Sequence, residues 1–157
     1  MMPMQRTQKS QSSLELLITV AFGLIILIPI VVLALVQVAN TTSTLSTTQA
    51  QAAASKLAAA ATSVGSQGYP AKQLVIIDVP QSVTNIYIGT TTGSLGHEII
   101  FVISTSAGPD YVTAYSPVNV TGSLGADIQQ GTYLVNITAQ SSCPVNAAIS
   151  CVYMTST

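Results

Sequence analysis

The chain has 157 residues, with four Lys or Arg, five Asp or Glu, one His and a formal net charge of −1. Only 6% of the residues are charged, 48% are hydrophobic, and mean hydropathy is +0.56. Positive charge this sparse, with no basic patch, argues against duplex nucleic acid as a partner, and a single histidine cannot supply a His-rich metal centre.

Residues 1–10, MMPMQRTQKS, form a polar leader carrying Arg6 and Lys9. Methionines at positions 1, 2 and 4 leave the start open, and no secondary structure is assigned to this stretch.

Residues 11–38, QSSLELLITVAFGLIILIPIVVLALVQV, dominate the chain. From Leu14 to Val38 the only mild interruptions are Thr19, Gly23 and Gln37, apart from the lone carboxylate Glu15. No residue from Leu16 to Ala54 is charged. As a helix, Leu14–Val38 would be roughly 37 Å long, enough to cross a hydrocarbon layer of ~30 Å with some tilt. That exceeds the 7–15 apolar residues, approximately, of a cleavable secretory signal. Pro29 inside the run removes one backbone hydrogen bond, so a kink is expected between Ile25 and Pro29.

Two readings of Glu15 stand side by side. It can sit at interface depth in the first helical turn, favoured by the helix dipole with Ser12 or Ser13 as N-cap. Alternatively it has a defined positive partner, because an unpaired carboxylate at the hydrocarbon edge is costly.

The stretch KSQSSLELL resembles the class III signal sequence of archaeal type IV pilin-like proteins. That pattern places Gln, Ser and Glu at the first, third and fifth mature positions, between a basic leader and an apolar helix. Gln11, Ser13 and Glu15 fill those positions, and Lys9-Ser10 ends the leader. The resemblance covers Gln5 to Val38; one departure is Ser10 where the family commonly has Gly or Ala. It implies cleavage between Ser10 and Gln11 by a membrane-embedded prepilin peptidase on the cytoplasmic side. It further implies that Glu15 of one subunit pairs with the new Gln11 amine of a neighbour, the amine being a cation at neutral pH. Removing one partner of such a desolvated pair would cost about 3–5 kcal/mol.

The distribution of Arg6 and Lys9 on one side of the apolar run, with Lys56 the first cation beyond it, sets the N-terminus cytoplasmic and the bulk of the chain outside. Cys143 and Cys151 are compatible with a small extracytoplasmic disulfide loop. Sequons at Asn40, Asn119 and Asn136 all follow the helix and are possible N-glycosylation sites.

Residues 39–64 are a helix continuation or a linker. Asn40–Thr48 is rich in β-branched and hydroxyl residues that weaken helices, whereas Gln49–Thr62 is rich in alanine, the best helix former. One helix from Ser13 to Ser63 is expected, with Leu45, Ala52, Leu57, Ala60 and Val64 as the stripe that packs on the rest of the chain. Gly65–Pro70 then stops it.

Residues 70–157, about 90 in number, suffice for one small extracellular β domain. Short strand signals appear at Gln73–Val79, Val83–Gly89, Glu98–Ser104, Tyr111–Tyr115, Val118–Thr121, Thr132–Thr138 and Ala147–Met154, with Glu98–Ser104 apolar enough for a central strand. The predicted class is α+β: a long N-terminal hydrophobic helix and a small antiparallel β-sandwich-like head.

No nucleophile elbow, dinucleotide fingerprint or paired-cysteine metal motif is present, and His97-Glu98 reads as a solvated edge before a strand. The chain is therefore expected to be no enzyme and to need no cofactor or metal. The resemblance implies instead a filament subunit, stored in the membrane, assembled with copies of itself by helix bundling, and serving adhesion. The alternative is a membrane-anchored binding module that does not polymerise.

Overall fold

A computed structural model describes residues 6–105, 107–124 and 129–157, with side chains from Ser13 onward. It has the expected α+β class: one helix, α1 (Arg6–Gln67), followed by six strands, β1 (Lys72–Val79), β2 (Val83–Gly89), β3 (Gly96–Thr105), β4 (Gly108–Ser123), β5 (Gly131–Gln140) and β6 (Cys151–Ser156). By internal contacts the chain divides into a unit ending at Thr41 and a head from Thr42 to Thr157.

Helix α1 is continuous through its 62 residues, across Pro29 and the Thr-rich stretch. The continuation, not the linker, is what forms. Its hydroxyls explain why that stretch stays helical. Thr41 donates to the carbonyl of Gln37 at 2.8 Å, Thr47 to Ser43 at 3.1 Å and Thr48 to Thr44 at 2.9 Å. Each hydroxyl is satisfied on its own helix and does not compete for a turn. The helix also extends N-terminally to Arg6, because Arg, Gln and Lys are good helix formers and nothing after Pro3 interrupts them.

The six strands form one sheet in the order β1-β5-β6-β4-β3-β2. All pairs are antiparallel except β4 with β6. The layer expected as a second sheet is the head segment of α1. Ala50, Ala53, Ala54, Leu57, Ala60, Ala61 and Val64 are buried with Val75, Ile77, Ile88, Phe101, Ile103, Val120, Val135, Ile137 and Met154 in one core. Alanine on the helix face lets the axis approach the sheet closely, while the strands supply the bulk. The expected stripe is corrected in part: Leu57, Ala60 and Val64 are buried, but Ala52 is exposed and Leu45 is 55% exposed. The true stripe runs from Ser46 through Ala50 and Ala53. In an alanine-rich stretch the phase of the face cannot be set by size contrast.

Six strands replace seven because Tyr111–Tyr115 and Val118–Thr121 are parts of β4. Tyr115 pairs with Glu98 and Val120 with Gly96, so the residues between them bulge out of the ladder. Pro117 lies in that bulge, where no ladder donor is required. The last strand begins at Cys151, not Ala147, since turns occupy the residues before it. Gly122 sits at φ 146°, where a Cβ would collide with the carbonyl of Met154; this glycine permits β6 to approach β4 in parallel register. Glu98–Ser104 lies within β3, an interior strand as expected.

Candidate functional site

The N-terminal segment holds the residues singled out by the sequence. Ser10 and Gln11 lie on the backbone of α1, and their side chains are outside the described residues. Ser13 and Glu15 are exposed. The first-turn reading of Glu15 is corrected: with α1 starting at Arg6, Glu15 lies nine residues in, more than two turns from the N-terminal end. Were the chain to start at Gln11, Glu15 would fall in or beside the first turn, where a carboxylate is favoured by the unpaired amides and the dipole. The carbonyl of Glu15 accepts a hydrogen bond from the Thr19 hydroxyl at 2.8 Å, so Thr19 is polar without being unsatisfied.

Every large apolar side chain described from Leu14 to Val38 is exposed, between 46% (Val31) and 69% (Leu16, Leu33). The segment is long and apolar enough to cross a membrane, with a hydropathy of 3.1 and no buried residues in its most apolar window. An apolar surface of this extent in water would be unstable, and it is consistent with a membrane-anchoring helix. Pro29 lies inside the helix and leaves the Ile25 carbonyl without its amide donor, which a neighbouring helix or local adjustment can accommodate.

In the head, Cys143 and Cys151 are joined by a disulfide with Cα atoms 5.4 Å apart, and both are buried. The bridge spans the connection from β5 to β6, whose first pair is Gln140 with Cys151. It fixes the hairpin that delivers the C-terminal strand to the middle of the sheet.

The three sequons differ in setting. Asn40 is exposed on α1. Asn119 is half-buried in the β4 bulge, and its Thr121 is only 2% exposed. Asn136 is half-buried on β5, opposite Leu74 of β1.

Two open hollows of about 540 Å³ each flank Lys56 between α1 and β1. Their titratable lining is Lys56 and Asp78, and the Lys56 ammonium donates to the Ile76 carbonyl at 2.7 Å. Among the described residues no three His, Cys, Asp or Glu side chains converge as metal ligands. His97 and Glu98 are exposed at the start of β3. His97 Nδ1 lies 3.1 Å from the Ser116 carbonyl, and its ring stacks on Tyr115 with centroids 5.9 Å apart. That pair was not anticipated, although the alternation of Tyr111, Thr113 and Tyr115 marks them as sharing one face of a strand.

No protein-family model, curated protein or solved structure matches the chain.

Proposed function

We propose that the mature chain, beginning at Gln11, is the structural subunit of an archaeal type IV pilus-like surface filament. A prepilin peptidase cuts between Ser10 and Gln11 on the cytoplasmic side, the helix waits in the bilayer, and assembly transfers it into a bundle of equivalent helices. The head is outside, glycosylated at one or more of Asn40, Asn119 and Asn136, and serves adhesion. The role is structural, without catalysis or cofactor.

The observation that carries this reading is the placement of Gln11, Ser13 and Glu15 between a basic leader and a helix whose apolar side chains are exposed from Leu14 to Val38. An uncharged helix surface suits both lipid and a helix bundle. Glu15 alone would need a partner in the bundle, and the freed amine of a neighbouring Gln11 supplies one. Unprocessed chains lack that amine and would be rejected.

The test is Glu15→Ala. The variant is expected to stay membrane-inserted and to disappear from sheared surface filaments. Normal amounts of the variant in filaments would overturn the pairing and leave the alternative, a single-pass anchored binding module.

A further inference from the structure

The sheet face turned away from α1 has its own organisation on β2, β3 and β4. Registers place Tyr87 opposite Ile100, and Ile100 opposite Thr113; Asn85 is opposite Val102, and Val102 opposite Tyr111; Glu98 is opposite Tyr115. Ile99, Phe101 and Ile103 enter the core under α1, so Glu98, Ile100 and Val102 point to the other side. Ile100 is nevertheless only 5% exposed and is not part of that core. It is covered from the outer side, where Tyr87 faces it across the strands and Tyr111 and Tyr115 are its diagonal neighbours. The rings themselves stay accessible: Tyr111 is 58% and Tyr115 68% exposed.

Tyr115 and the neighbouring Tyr87 are braced. Tyr115 stacks on His97, and His97 Nδ1 is 3.1 Å from the Ser116 carbonyl. The Asn85 amide donates to the Tyr87 hydroxyl at 3.0 Å. Side chains already held in place lose less entropy when a ligand covers them. Tyr111 and Tyr115 are four residues apart on one strand, about 13 Å, with Thr113 between them. The platform is long enough for a chain of linked units.

We infer that this face binds a neutral polysaccharide, its sugar rings laid on Tyr111 and Tyr115. A sugar ring is apolar on its C–H faces and rich in hydroxyls at its rim, which matches exposed rings interleaved with neutral hydrogen-bonding groups. Here those groups are Thr113, Asn85 and the tyrosine hydroxyls. Charge selects against other ligands. Beyond the leader the only cations are Lys56 and Lys72; Lys56 is bonded to β1 and Lys72 is part of it, at the far end of the strand order. The tyrosine face carries Glu98 instead, opposite Tyr115. An anionic polymer would be repelled and would find no counter-charge. The inference goes beyond the filament reading and holds whether or not the chain polymerises.

The test uses the full chain, solubilised in a detergent without a sugar headgroup, in native gels containing mannan, dextran or hydroxyethylcellulose. Wild type is expected to be retarded by at least one of these polymers. The double variant Tyr111→Ala, Tyr115→Ala is expected to bind at least about tenfold more weakly. Tyr111→Phe with Tyr115→Phe keeps both rings and retains binding. Tyr69→Ala, at an exposed tyrosine in the turn after α1, binds like wild type. Absence of retardation in all three gels overturns the inference. So does retardation unchanged by the double alanine variant, or lost equally in the phenylalanine variant.

Discussion

The ammonium of Lys56, on α1, donates a 2.7 Å hydrogen bond to the carbonyl of Ile76. Ile76 belongs to β1, an edge strand that pairs only with β5. The carbonyls of alternate residues point outward there; that of Ala71 turns inward to accept from the amide of Ala139. Lys56 thus occupies one of the outward carbonyls that an added strand would need, beside the exposed Leu74 and Ile76. A lysine on an exposed edge is a common guard against strand addition.

Lys56→Ala should therefore have two effects. Denaturant unfolding of the head should show a loss of about 1 kcal/mol for the missing hydrogen bond. Light scattering should show increased self-association through β1. Unchanged scattering would mean that the apolar edge is guarded by something other than Lys56.

Leu57 and Leu45 make a matched pair on the same helix. Leu57 has no exposed surface, whereas Leu45 is 55% exposed. Leu57→Ala should destabilise the head by about 2–5 kcal/mol through lost burial and a residual cavity, with little change from Leu45→Ala. Thermal unfolding of the two variants in detergent checks the phase of the helix directly. Equal losses would place Leu45 in the core and contradict the packing described.

The Cys143–Cys151 bridge closes a loop with a sequence separation of 8. Loop entropy predicts that replacing both cysteines by serine lowers head stability by about 2–3 kcal/mol. Because the bridge anchors the start of β6, amide exchange should rise first in β6 and in the part of β4 that pairs with it in parallel, Val120 to Ser123. Exchange that rises first in β1 or β2 would show that the bridge stabilises a different part of the sheet.

Much of this architecture was legible in the residues. The uncharged run to Ala54, the alanines that follow and the Gly65–Pro70 stop define α1, and strand periodicity locates β1, β2, β3 and β5. The phase of the helix in the head was not legible, since Ala52 and Ala53 are chemically identical and only packing decides which is buried. Nor could Ser116-Pro117 be distinguished from a turn: a proline in a bulge and a proline between strands share one local sequence. The insertion of β6 between β5 and β4 depends on pairings distant along the chain, and local preference carries no information about them. At the candidate processing site, the motif of Gln11, Ser13 and Glu15 was readable, but the extension of α1 back to Arg6 was not. That extension moves Glu15 out of the first turn, so the dipole and the free amine would both become available to it only after cleavage.

The most direct test of the account is the N-terminal residue of the mature chain in a cell-surface fraction, read by mass spectrometry. A chain starting at Gln11 is the predicted result: Glu15 then lies beside a helix terminus and within reach of a neighbour's amine in a bundle. A surface chain that still carries Arg6 and Lys9 would contradict it, because no free amine would exist at the position where Glu15 needs its partner.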